Sequence, residues 1–227
     1  MRFLLIARCL LLMMLCCAGA GMRLHAQPLN KGWIAILGDS IAYAGHWANE
    51  VENTLRDDKK FAACEIVNFA VPSETVAGLS EYGHAGGRFP RPCLHERLSR
   101  MLKMYQPQLI LACYGMNDGL MQAFDKARFQ AYQEGNIRLK KAADAAKAEI
   151  VFITPPLFRG DSAEQAEYDA VLDKYAEWLV SKRKDGWKVI DIRPGLRKLI
   201  AREKAGNPGF RYSGDGVHPG PEGHHMI

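Results

Sequence analysis

Five short apolar runs, each with β-branched or aromatic residues, are spaced along the chain: Trp33–Leu37, Glu65–Phe69, Leu109–Tyr114, Glu149–Thr154 and Lys188–Ile192. Runs of this length predict strands buried on both faces. Between and after them the apolar positions take the helical repeat, which predicts helices near 46–58, 92–105, 126–147, 163–184 and 194–204. Strand and helix alternate in the manner of a parallel sheet with crossover helices. The expected fold class is therefore α/β: a three-layer α/β/α sandwich around a five-stranded parallel sheet, flavodoxin-like in its winding. The stretch from Gly78 to Pro92 breaks both patterns, and its glycines and prolines predict a long ordered loop. Pro219 and Pro221 open what reads as a final helix, either stubby or cut short at Ile227.

The first residues follow a different pattern. Arg2 and Arg8 precede an apolar run from Cys9 to Ala20 that ends in the small residues Ala18-Gly19-Ala20. This predicts a cleavable export signal over residues 1–26, cut after Ala20 or Ala26, followed by one domain over residues 27–227. A secreted or periplasmic protein with no stable membrane insertion after cleavage is expected. A lipid anchor on Cys16 or Cys17 is the alternative, against which stand the bulky residues Met13 to Leu15. The net charge of +5 falls to +2 once Arg2, Arg8 and Arg23 are set aside with the leader, which argues against a nucleic acid or an anionic surface as partner. Cys64, Cys93 and Cys113 then remain, an odd and sparse set that is no disulfide framework. Cys64 and Cys113 read as small buried hydrophobes, and one pair at most could bridge.

Parallel sheets gather their functional groups at the carboxyl ends of the strands. The first strand exits into Gly38-Asp39-Ser40, the second into Asn68-Phe69-Ala70-Val71-Pro72-Ser73-Glu74-Thr75, and the third into Gly115-Met116-Asn117-Asp118. Late in the chain comes Asp215-Gly216-Val217-His218-Pro219. Ser40 offers a hydroxyl just beyond a buried strand, but a serine hydroxyl is a weak nucleophile without a base. His218 can serve as that base, and Asp215, three residues earlier, is spaced to hold the imidazole in one tautomer. Asp39 reads as a loop-fixing acceptor of backbone hydrogen bonds rather than a catalyst.

These four blocks, in this order over residues 33 to 219, resemble the SGNH (GDSL-type) hydrolase superfamily. The segment from Ser73 to Pro90 looks like the pocket rim of one bacterial secreted subgroup of these esterases. The resemblance implies a catalytic triad of Ser40, His218 and Asp215, with three oxyanion donors: the Ser40 backbone N–H, a backbone N–H of the second block, and the Asn117 amide. In the second block Ala70 and Ser73 stand where the family carries glycines, and Pro72 replaces a serine. Pro72 has no N–H to give, whereas Ser73 can donate provided its backbone takes an ordinary conformation. His84 and Arg88 are candidate contacts for a polar substrate, with solvated loop residues as the equal alternative. Tyr43, Trp47 and Tyr114 read as core or pocket wall.

The expected activity is ester hydrolysis through an acyl-enzyme on Ser40, with no cofactor and no metal. The expected substrate is a small-molecule or polysaccharide ester, most simply a short acyl group on a carbohydrate. A short-chain lipase or lysophospholipase and a non-catalytic carbohydrate-binding relative are the alternatives. An α/β-hydrolase would carry Gly-x-Ser-x-Gly in mid-chain, and here position 42 is Ala. A metallophosphoesterase could draw on Asp39, Asn117, Asp118, Asp215 and His218, but its early Asp-x-His pair is missing. His224 and His225 point apart on a helix and complete no zinc site. No phosphate-cradling glycine loop follows the first strand.

Overall fold

Strands β1 (Trp33–Gly38), β2 (Glu65–Asn68), β3 (Leu109–Cys113), β4 (Glu149–Ile153) and β5 (Lys188–Ile190) form one sheet in the order β2-β1-β3-β4-β5, every pairing parallel. In this computed structural model the described residues are 32–59, 61–158 and 163–227, without the side chains of 163–166. The leader read over residues 1–26 lies outside them. The helices are α1 (Ser40–Tyr43), α2 (His46–Arg56), α3 (Leu94–Tyr105), α4 (Lys126–Ala145), α5 (Ala163–Ser181), α6 (Arg193–Gly206) and α7 (Pro221–His225). Right-handed crossovers send α2, which joins β1 to β2, to one face and α3, α4 and α5 to the other. Contacts follow that division: α7 packs on α2, and α4 lies between α3 and α5. The structure thus has the expected sandwich.

Burial explains why these segments are strands. All five residues of β3 are buried, and in β1 only Trp33 is exposed. The helices are set by local chemistry at their ends. Asp125 caps α4 by accepting the Arg128 N–H at 2.8 Å, and Gln106, at φ 45°, turns the chain off α3. Four strands stop one or two residues short of their apolar runs, so that Phe69, Tyr114, Thr154, Asp191 and Ile192 lie beyond the ladders, while β1 runs one residue further, to Gly38. Gly115, at φ 132°, turns the chain away after β3. The closing helix starts at Pro221, while Pro219 bridges back to Ser213 and closes the loop that precedes it. Among the described residues no disulfide joins Cys64, Cys93 and Cys113. Among the described residues no helix is long and apolar enough to cross a membrane.

Register positions the chemistry. Ile36 of β1 lies opposite Asn68 on one side and Leu111 on the other, and Gly38 lies opposite Cys113. The exits of β1, β2 and β3 therefore open side by side at one edge. Beyond them a buried arginine, Arg193 at the start of α6, donates to the Pro155 and Pro156 carbonyls and to Asp169 and Asp173. That network ties the β4 exit to α5. The two carboxylates together balance the buried guanidinium, which alone would be costly to bury.

Candidate active site

The β1 exit is tight. A Cβ on Gly38 would lie 2.8 Å from Ala42 Cβ and 3.0 Å from the Cys113 carbonyl, so only glycine lets the turn run this close to β3. Asp39 follows and caps α1, its Oδ1 accepting the Ile41 N–H at 3.0 Å. This is the loop-fixing role the sequence suggests. Burial pushes the Asp39 carboxyl up to about 6, against the opposing pull of the Ile41 N–H and of His218. Ser40 is the first residue of α1, with its side chain at the protein surface.

A second tight turn brings the base. Gly216 adopts φ 85°, and Asp215 Oδ1 accepts the N–H groups of Val217 at 2.9 Å and His218 at 2.7 Å, together with the Ser213 hydroxyl at 3.0 Å. Asp215 Oδ2 accepts from His218 Nδ1 at 2.7 Å, and His218 Nε2 lies 2.8 Å from Ser40 Oγ. With Nδ1–H donated to Asp215, Nε2 is left to accept the serine proton. Burial tends to raise the Asp215 carboxyl, but the hydrogen bonds from the His218 ring, the two backbone amides and Ser213 outweigh it and hold it well below the usual carboxylate range. Asp215 is thus an anion across the neutral range. Ser40 and His218 meet across 178 residues of sequence.

The second block departs from the simple expectation. Ser73 lies at φ 63°, in the left-handed region, not in an ordinary conformation. Its backbone N–H is taken up by no acceptor among the described residues, while the neighbouring Glu74 N–H donates to Val71 at 3.1 Å. Asn117, 3% exposed, accepts from Arg91 Nη1 on its Oδ1 at 2.9 Å and directs its Nδ2 toward the Glu74 carbonyl at 3.4 Å. Asp118 braces the same block, its Oδ1 accepting the Val76 and Ala77 N–H groups at 2.9 and 2.8 Å. Its other oxygen finds no hydrogen-bond partner among the described residues, and burial pushes the carboxyl up to about 7, with the nearby Asp39 charge adding to the effect.

The two proposed substrate contacts are placed differently. His84 is engaged inside its own loop, Nδ1 lying 3.1 Å from Glu81 Oε1 and its ring edge-on to Phe89. Arg88 is exposed at the end of the 3₁₀ turn His84–Gly87. Tyr43 is exposed, whereas Trp47 and Tyr114 are core; the Tyr114 hydroxyl donates to Glu74 Oε2 at 2.6 Å. Among the described residues no three His, Cys, Asp or Glu converge as a metal ion needs.

The sequence reading assigns no role to Glu74, Glu81 or Arg91, and offers Asp118 only as a ligand in the metallophosphoesterase alternative. Glu74 is fully buried and held by Arg97 and Tyr114. Arg91, 9% exposed, grips Glu81 with Nε and Nη2 at 2.7 and 2.9 Å. A charged residue between Gly83, Gly86, Gly87 and Pro92 reads as solvated loop, and only the fold reveals its burial. The groove between α3 and α4, lined by His95, Leu98, Lys103 and Arg138, includes none of the site residues.

Residues 36–226 match the model of the GDSL-like lipase/acylhydrolase family. The acetylxylan esterase Axe2 from Geobacillus stearothermophilus aligns with a TM-score of 0.60 at 16% identity, over 88% of this chain and 92% of that one. A GDSL-like lipase candidate from Parabacteroides merdae aligns with a TM-score of 0.61 at 18% identity, over 87% and 92%. An SGNH hydrolase candidate from Slackia heliotrinireducens gives 0.57 at 19% identity, over 87% and 95%. No curated protein matches the sequence. At these identities the likeness establishes the fold.

Proposed function

Because the chain belongs to the GDSL-like lipase/acylhydrolase family, we propose that it hydrolyses carboxylic esters through an acyl-enzyme on Ser40. The observation that carries this reading is the unbroken hydrogen-bonded line from Ser40 Oγ to His218 Nε2 and from His218 Nδ1 to Asp215 Oδ2, at 2.8 and 2.7 Å. His218 takes the Ser40 proton as Oγ attacks the ester carbonyl, and the imidazolium is stabilised by the Asp215 carboxylate. The tetrahedral oxyanion is met by the Ser40 backbone N–H, by the Asn117 amide and by the Ser73 N–H, which the left-handed turn leaves available although the conformation is not the ordinary one expected. Each such donor is worth on the order of 10²–10³ in rate. His218 then gives its proton to the leaving alkoxide. A water, deprotonated by the same ring, hydrolyses the acyl-serine and restores the hydroxyl.

The substrate we assign is a short acyl group, such as acetyl, on a carbohydrate. His218 and Asp215 keep about half of their side-chain surface open, at 49% and 57%, which suits a bulky polar alcohol approaching from solvent. Tyr82 and Phe89, exposed on the loop after the second block, offer flat faces for sugar rings. Acetylated xylo-oligosaccharides, the substrate class named for the similar Axe2, are therefore the first to try, against short lipid esters. The leader over residues 1–26 supports export to where such polymers lie. The test is hydrolysis of p-nitrophenyl acetate by the wild type and by Ser40→Ala. The variant is expected to lose at least about 10³-fold in kcat, and equal rates would remove the proposal in favour of a binding module.

A further inference from the structure

Beyond the sugar-facing Tyr82 and Phe89, the loop from Gly78 to Pro92 takes no part in the acyl transfer above, yet it sends one side chain to the buried Asn117. Arg91 reaches Asn117 Oδ1 at 2.9 Å with Nη1, while Nε and Nη2 form a two-pronged pair with Glu81 at 2.7 and 2.9 Å. The Arg91 backbone N–H donates to Ser80 Oγ at 2.9 Å, so the residue is fixed at both ends. Glu81 also meets His84 Nδ1 at 3.1 Å. The result is a chain of contacts, His84–Glu81–Arg91–Asn117, running from the loop to the amide.

We infer that Arg91 is a positioning residue that fixes the orientation of the Asn117 amide and strengthens it as an oxyanion donor. An asparagine amide has two ends of opposite character, and only the NH₂ end can stabilise a developing negative oxygen. A half-turn about its last bond would present Oδ1 instead and repel that oxygen. A guanidinium has donors and no acceptor. Arg91 can therefore hold the Oδ1 end alone, and the turned amide would set N–H against N–H in a buried place, where an unmade bond is costly. The cation also draws electron density toward Oδ1, leaving the Nδ2 hydrogens more positive. Glu81 keeps Arg91 aimed, balances its buried charge and is itself held down to about 2, since the Arg91 and His84 hydrogen bonds overcome the effect of its burial. A lysine could not span both partners, because its single ammonium lacks the planar fork.

This inference rests on the ester hydrolase reading, and the experiment separates the two. The kinetics of p-nitrophenyl acetate hydrolysis are measured for wild type, Arg91→Ala, Asn117→Ala and the double variant, with thermal melts on each. If Arg91 acts through Asn117, Arg91→Ala lowers kcat by about 10–100-fold with KM changed less than about threefold, and in the Asn117→Ala background the same change costs less than about twofold. Arg91→Lys is run in both backgrounds. Should Arg91→Ala not fold, it carries the comparison alone, with a smaller kcat loss expected only where Asn117 is present. Equal losses in the two backgrounds, a change confined to KM, or no loss at all would overturn the positioning role. The ester hydrolase reading would survive those results as long as Ser40→Ala remains inactive.

Discussion

At Ser73 an L-residue occupies φ 63°, a conformation that costs a non-glycine residue about 1–2 kcal/mol. The family pattern has glycine here, and the structure shows the physical reason: the turn demands the left-handed region while its N–H stays free. Ser73→Gly is expected to raise stability by about 1 kcal/mol, after the entropy that glycine adds to the unfolded chain. For a chain of this size that is a rise in Tm of about 2–4 °C, with kcat for p-nitrophenyl acetate little changed because the N–H is retained. A lower Tm would show that the serine side chain, not the backbone, holds the turn. Ser-Glu-Thr itself carries no sign of positive φ, and only the glycine of the family pattern points to this strain. The Asp-x-x-His block is legible by contrast, because its geometry is local: a three-residue step and Gly216 suffice to bring ring and carboxylate together.

Among the elements, α4 shows how far a scaffold helix reaches into the site. Gly135 sits in its middle and is buried, and a Cβ there would lie 2.1 Å from the Val76 carbonyl oxygen and 2.7 Å from its carbon. Glycine within a helix ordinarily costs about 1 kcal/mol relative to alanine, so propensity alone predicts that Gly135→Ala stabilises. Packing predicts the reverse, because the obstacle is backbone that Asp118 holds through the Val76 and Ala77 N–H groups. Gly135→Ala is expected to destabilise by about 1–3 kcal/mol in urea denaturation and to lower kcat, as Ser73 and Glu74 are displaced with Val76. A more stable, fully active variant would contradict this account of how α4 abuts the second block. The elements themselves were readable from apolar runs, and their errors lie at the ends. There a side chain such as Tyr114 continues the apolar pattern after the strand has lost its ladder to Gly115.

For the whole molecule, the proposed site depends on closing a chain whose candidate groups, Ser40 and His218, lie near opposite ends of the described residues, and the buried acids beneath it set a pH signature. Asp118 is raised to about 7 by burial from an ordinary 3.8, so between pH 4 and 7 the native state keeps a proton that the unfolded chain has lost. Its contribution to stability therefore falls as pH rises through that window, by up to about 4 kcal/mol. His224, lowered to about 4 by burial and by the nearby His46 and His218, acts in the opposite direction between about 4 and 6.5. Comparison with Asp118→Asn isolates the acid, because the variant keeps the acceptor for Val76 and Ala77 and has no proton to lose. The stability of wild type minus variant is expected to decline steadily from pH 4 to 7 in denaturant titrations. A difference independent of pH would mean that Asp118 does not carry the raised value. Burial at this depth belongs to the assembled molecule, which is why Glu74 and Arg91 read in sequence as ordinary polar loop residues and Asp118 as no more than a ligand in a rival reading.

The central claim is that Ser40, activated by His218, is the atom that takes the acyl group. It is tested most directly by reacting the protein with diethyl p-nitrophenyl phosphate and mapping the modified peptide by mass spectrometry. One diethylphosphoryl group per molecule on Ser40, absent in Ser40→Ala and strongly slowed in His218→Ala, is the predicted result. Labelling at another residue, or labelling that Ser40→Ala leaves unchanged, would contradict the account.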